Sequence, residues 1–265
     1  MILVLDADNR FFNFAAINDT NGSIIKKVSV ASSIDRSVDE YVFLVSSMLG
    51  NALGDMNGAV VSSVIPRENH TIKKIMTALT GITPSFVGQG LKTGLNLKVD
   101  HHEQLGSDIV CCAVGAFSRG KRESAEKGKP IPVIAVDIKY ATTISAVNAR
   151  GELCGVAIIP GLTLSVDALS RYSGSLPDIS LKAPKLILGK NTYDSMNCGA
   201  VLSHAYALDG FIDNISANYF DGEKPAVFVT GESASLVAPL LRNNVKTSSN
   251  LCFEGLAKIY DLNKA

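Results

Sequence analysis

Pro132 to Gly161 reads PVIAVDIKYATTISAVNARGELCGVAIIPG. Four apolar residues, Val133 to Val136, run straight into Asp137, and a short turn leads to a second apolar stretch, Ala141 to Val147. Asn148 to Gly151 carries a hairpin signal, and a third run ends at Pro160-Gly161. A buried charge needs a partner, so an acid that closes a strand of buried type, beside Thr142 and Thr143, points to a site rather than to core. The chain contains this pattern twice. Ile2 to Leu5 leads to Asp6, and a second strand ends in Asn18-Asp19 before Gly22.

The rest of the chain extends the repeat. Met1 to Leu5 is predicted as a strand, Asn9 to Ile17 as its antiparallel return and Ile24 to Val30 as a third strand. Ser33 or Asp35 is expected to cap a helix whose apolar positions, Val38, Tyr41, Val42, Val45, Met48 and Leu49, fall at helical spacing. A strand over Ala59 to Ile65, stopped by Pro66, precedes a helix from Glu68 to Leu79. Gly106, Ser107 and Asp108 open a helix through Cys111, Val114 and Phe117, with Ser107 or Asp108 as its expected cap. In the second half, helices are expected over Leu164 to Tyr172, between Tyr193 and Tyr219, over Ser233 to Leu241 and over Phe253 to Leu262, with a strand at Ala226 to Thr230. Each half is thus a three-strand meander followed by helix, strand and helix. That is the layout of an α/β chain with two duplicated ribonuclease-H-like (actin-like ATPase) domains, each a mixed sheet with flanking helices, a fold that binds a nucleotide between its halves. The expected division is 1–118, a polar linker over 119–130, and 131–265.

Composition narrows the function. At 265 residues, 46% hydrophobic and 19% charged, the chain reads as globular and cytoplasmic, with no apolar run of membrane-spanning length. Its formal net charge is zero, which argues against a general affinity for nucleic acid or anionic membrane. The five cysteines form no CxxC pair and the four histidines no metal-binding spacing, so the thiols are expected free and buried.

Phosphoryl transfer needs a metal-bound polyphosphate, donors around it and a base for the accepting hydroxyl. Asp6 and Asp137 are carboxylates of the kind that hold hard cations. Thr142 and Thr143 offer hydroxyls. Asp108, at a helix start, is placed to take a proton from an alcohol, with the helix dipole holding it ionised. No Walker A sequence, dinucleotide-binding glycine motif or GxSxG elbow occurs.

Nearly the whole chain resembles the type III pantothenate kinases. The resemblance is carried by LDADN (Leu5 to Asn9), SSVIP (Ser62 to Pro66), LKTGLNLK (Leu91 to Lys98), LGSD (Leu105 to Asp108), VDIKYATTISAV, GVAIIPGLTLSVDAL, LGKNTYDSMNCG, DGFIDNI and TGESASLVAPLL. It implies a homodimer that phosphorylates pantothenate with ATP, the first step of coenzyme A biosynthesis, using magnesium and a monovalent cation (potassium or ammonium). By position, Asp6, Ala7, Asp8, Asn9, Arg10, Phe11, Phe12 and Asn13 would form the first phosphate-binding turn, with Tyr140 at the second nucleotide contact. Asp108 would be the catalytic proton acceptor. Val99, Gly106, Ser107, Asp108 and Ile109 would meet pantothenate, joined by Thr192 from the partner subunit. Asp137 would bind the monovalent cation and Asp6 the magnesium.

The chain departs from the family pattern at several of these places. Asp8 and Arg10 stand where the first motif carries glycine and threonine, Lys139-Tyr140 where Gly-Thr is usual, and Val99 where a tyrosine is common. Glu232 replaces a glycine, and Ile109 replaces an arginine that would pair with the substrate carboxylate, a contact worth about 1.5–3 kcal/mol. These changes imply an alternative: a catalytically weak or inactive paralogue with a binding or regulatory role.

Overall fold

The computed structural model describes residues 1 to 265 except Ile34, Gln89 and Ala265, and for Glu126 and Lys127 the backbone alone. The chain divides into two compact units: Met1–Asn96 with Asp100–Ser118 and Leu251–Ala265, and Leu97–Val99 with Arg119–Asn250.

In the first unit the strands are β1 (Ile2–Ala7), β2 (Phe11–Ile17), β3 (Ile24–Ala31), β4 (Gly58–Ser63) and β5 (Ser85–Phe86), ordered β3-β2-β1-β4-β5. The first three form the antiparallel meander, and β4 joins β1 in parallel. Side chains alternate across a strand. In β1, Leu3, Leu5 and Ala7 therefore enter the core with Phe12, Phe14 and the buried faces of helices α1 (Val38–Leu49) and α2 (Asn69–Thr80), while Asp6 lies on the other face with Ile2 and Val4. Each fully buried Leu or Phe contributes about 1.5–3 kcal/mol, which fixes the register. Helix α1 begins later than Ser33 or Asp35 would have it. Its cap is Ser37, which accepts from Glu40 N while Glu40 reaches back to Ser37 N, a reciprocal capping box. Ser33 N donates instead to the Tyr41 hydroxyl (2.8 Å).

A two-residue strand, β6 (Asn96–Leu97), precedes helix α3, which runs without a break over Ser107–Lys127. The residues expected as a linker from 119 are thus helical to 127. In the second unit follow β7 (Val133–Ile138), β8 (Ala141–Val147), β9 (Glu152–Pro160), α4 (Leu162–Tyr172), α5 (Thr192–Tyr219), β10 (Ala226–Thr230), the short α6 (Ala234–Val237) and β11 (Val245–Thr247). The sheet order is β11-β10-β7-β8-β9-β6, so β9-β8-β7-β10-β11 repeats the order of the first sheet. Ile134, Val136 and Ile138 face a core completed by Val201, Ala205, Leu208 and Ile212 of α5. Asp137 lies on the opposite face, as Asp6 does.

The last helix, α7 (Leu251–Asn263), belongs to the first unit rather than to a second domain ending at 265. It packs on β1 and β4. It also crosses α3 at backbone contact: a Cβ on Gly255 would collide with the Cys111 carbonyl, and one on Gly115 with that of Leu251. The same crossing holds three thiols. Cys111, Cys112 and Cys252 are buried, as is Cys198, and all five cysteines are free.

Candidate functional site

Both acids close the first strand of their sheet, at the fifth residue of six. Asp6 is opposite Asn13 of β2 and Ser62 of β4; Asp137 is opposite Thr143 of β8 and Thr230 of β10. Both are 4% exposed, and in each the Oδ1 atom is sealed from solvent. A carboxylate buried this deeply against hydroxyl and amide neighbours is a candidate cation ligand.

In the first unit the structure brings together Asp6, the turn that follows it and the start of α3. Ser107, the first helical residue of α3, bonds Ser62 Oγ (3.0 Å), accepts from Ser63 N (2.9 Å) and donates to the Ser63 carbonyl (3.1 Å). Its hydroxyl ties the helix start to the end of β4, the strand beside Asp6. Asp108 Oδ1 accepts from Ile109 N (2.8 Å), and Gly106 leaves room for that carboxylate, since a Cβ there would stand 2.5 Å from Oδ1. The Cys111 thiol is pushed up by burial and further by the negative charge of Asp6 and Asp108, so both acids act on one sulfur.

The turn between β1 and β2 is organised by Asp8. Its Oδ1 accepts from Arg10 N (2.8 Å) and Phe11 N (2.7 Å), and Oδ2 from Asn13 Nδ2 (3.4 Å). The acid thus takes up backbone donors that a glycine at this place would leave to an incoming anion. Ala7 and Phe12 are core residues and offer only backbone there; Phe12 packs on Tyr41 with ring centroids 5.1 Å apart. Asn9 and Arg10 are exposed, the latter with its guanidinium 5.6 Å over Phe11. Ile109 is buried.

In the second unit Asp137 meets Lys139, whose Nζ lies 3.3 Å from Oδ2. Tyr140 follows, 42% exposed. Thr142 turns inward: its hydroxyl shares a hydrogen bond with His204 Nε2 (3.0 Å) in the core, and burial holds that imidazole below its ordinary value. Thr143, across from Asp137, stays half-buried. Val99 is half-buried beside Lys98, whose backbone pairs with Leu153. Thr192, exposed, starts α5 after its cap Asn191, which accepts from Asp194 N (2.9 Å).

A cavity of about 490 Å³ opens in this unit between α4 (Thr163, Val166, Asp167), Leu181 and the loop Glu232-Ser233. The loop is joined to the end of β7 by Ser233 N donating to the Ile138 carbonyl (3.2 Å). Volumes of this size suit small ligands. None of its α4 residues was given a site role from sequence; they stand in the block GVAIIPGLTLSVDAL, in or just before the helix expected over Leu164 to Tyr172. Among the described residues no group of three His, Cys, Asp or Glu side chains is placed to hold a metal. Magnesium commonly needs only one or two carboxylates, with phosphate and water oxygens as the other ligands, and Asp6 fits that use.

Two sheets of one topology, each with a buried acid at the end of its first strand, define an actin-like ATPase fold. The chain belongs to the type III pantothenate kinase family, whose model matches residues 2–214. The type III pantothenate kinases of Pelobacter propionicus and Geotalea uraniireducens are each 32% identical to it over 267 residues, covering all of this chain and 100% and 99% of theirs. Among solved structures, a Campylobacter jejuni protein provisionally described as a Baf family transcriptional activator superposes with a TM-score of 0.59 at 16% identity, over 98% of both chains. The Lmo2764 protein of Listeria monocytogenes gives 0.51 at 12% identity, over 98% of both chains. These two likenesses concern the fold.

Proposed function

We propose that the chain transfers the γ-phosphoryl group of ATP to the terminal hydroxyl of pantothenate, opening coenzyme A synthesis. Beyond family membership, one observation carries this reading: Ser107 fastens the start of α3 to the end of β4, so Asp108 stands in the first turn of a helix at the Asp6 end of the sheet. In this reading Asp108 accepts the proton of the attacking hydroxyl. Positioning supplies much of the rate, since an ionised carboxylate is a modest base. Asp6 would hold magnesium, and the ion would supply positive charge against the phosphates. The β1–β2 turn, Asp6 to Asn13, receives the phosphates, with Arg10 supplying positive charge beside the Asp8 carboxylate. In the second unit Tyr140 and the cavity at Glu232 take part in nucleotide binding.

Gly106, Ser107, Asp108 and Ile109 form the pantothenate loop, with Val99 and Thr192 as further contacts. Ile109 takes part through its backbone, because its side chain points into the core. The homodimer that would bring Thr192 to a partner's site is supported by the exposed apolar run Leu186-Ile187-Leu188 and by the exposed Tyr193 at the start of α5, side chains of the kind that mark interfaces. The reaction would run in the cytoplasm, and no helix among the described residues is long and apolar enough to cross a membrane.

The test is a panel of acceptors (pantothenate, small hydroxy acids, hexoses) with magnesium-ATP, following ADP release. Pantothenate alone should support turnover. Turnover on a sugar and none on pantothenate would refute the assignment.

A further inference from the structure

Asp137 and Lys139 stand two residues apart where β7 leaves the sheet, and their charged ends meet at 3.3 Å, with the acid 5% and the lysine 23% exposed. A carboxylate this deep needs a positive charge beside it. Here that charge is built into the chain.

The turn that carries it is held on both sides. Gly161 N donates to the Tyr140 carbonyl (2.9 Å), Ser233 N to that of Ile138 (3.2 Å), and Lys139 N to that of Ala141 (3.2 Å). Side chains are excluded at the two clamps: a Cβ on Gly161 would strike the Lys139 carbonyl, and one on Gly231, which has φ +98°, would strike that of Ile138. The lysine therefore leaves a backbone that cannot drift, and its short route to Asp137 keeps the ammonium at high local concentration.

The Lys139 –NH3⁺ group stands beside Oδ2, so a potassium or ammonium ion on either oxygen of this carboxylate would meet a like charge held within a few ångströms in a buried setting. The expected diffusible cation and the residues present therefore do not fit together. We infer that the Lys139 ammonium is a tethered cation that serves Asp137 in place of potassium or ammonium, so that this chain works without a monovalent ion. Its consequence for turnover rests on the activity proposed above; the pairing itself does not.

The experiment compares the intact protein with Lys139→Met in potassium chloride and in tetramethylammonium chloride at equal ionic strength. It reads the urea midpoint and, separately, phosphorylation of pantothenate. The intact protein should give the same midpoint and rate in both salts. Lys139→Met should unfold at lower urea in tetramethylammonium and recover in potassium, and its rate should fall by about tenfold and recover likewise, the size expected for one charged contact. The double change Asp137→Asn with Lys139→Met removes both charges and should fold without responding to potassium.

A potassium-dependent rate or midpoint in the intact protein overturns the inference. So does a Lys139→Met protein that potassium cannot restore, or a potassium response in the double variant. If the intact protein is inactive in both salts, the kinase reading fails, and the urea midpoints still decide the tethered cation.

Discussion

Replacing Asp8 by glycine separates what this residue does for the fold from what it does to the nucleotide. Its Oδ1 accepts two short backbone hydrogen bonds, from Arg10 N and Phe11 N, in a turn that is open to solvent on one side. Each is worth about 1 kcal/mol net at such a place. Glycine adds about 0.5–1 kcal/mol of chain entropy to the unfolded state. Asp8→Gly should therefore lower the unfolding free energy by about 2–3 kcal/mol in urea titrations. It should also tighten ATP, because two N–H groups become available to phosphate and a negative charge leaves; one such bond engaged is worth about tenfold in affinity. Calorimetric titration with magnesium-ATP reads the second effect. Asp8→Asn is the control: it keeps the accepting oxygen, so it should hold most of the stability and show only the effect of charge. An Asp8→Gly protein of unchanged stability, or one that binds ATP more weakly, would refute the role given to this turn.

Gly255→Ala should destabilise the first unit by about 1–3 kcal/mol, since its methyl group meets the Cys111 backbone at the α3–α7 crossing and one helix must shift; a thermal melt within a degree of the parent would contradict the close crossing. Burial holds the His204 imidazole below its ordinary value of 6.5, so the unfolded state takes up that proton first. Stability should accordingly fall as pH drops below about 6.5, and His204→Gln should flatten this part of the profile in urea titrations across pH. Ile109→Arg should cost about 3 kcal/mol and fail to tighten pantothenate, because the side chain it replaces is 5% exposed and a guanidinium cannot stay there unpaired; tighter binding in calorimetry would show that the arginine reaches the ligand.

The strands around Asp6 and Asp137 were legible because four apolar residues followed by an acid conflict with a purely structural strand, and because the conflict occurs twice. Other features lay below what local pattern can show. The charged stretch from 119 reads as a connector, yet its residues share a helix whose apolar side is set further back, at Val114 and Phe117. Ser33, Asp35 and Ser37 are all competent caps; only the reach of Glu40, three residues after Ser37, distinguishes them, and that signal was in the sequence. α7 joins the first unit through Gly255 and Gly115, which are far apart in the chain. In the sequence Asp8 is a departure from a glycine, and its geometry makes it a turn-former. Lys139 carried a readable sign: two residues beyond a strand acid is the same face. That its ammonium reaches the acid depends on clamps at Gly161 and Gly231, which no local pattern announces.

The central claim is that Asp108 takes the proton from a pantothenate hydroxyl as phosphoryl transfer proceeds. A single-turnover quench with γ-labelled ATP, magnesium and pantothenate tests it most directly. The label should appear in phosphopantothenate with the parent protein, and its transfer should fall by at least about 10²-fold in Asp108→Asn with the urea midpoint retained. Equal labelling by the two proteins, or none by a folded parent, would contradict it.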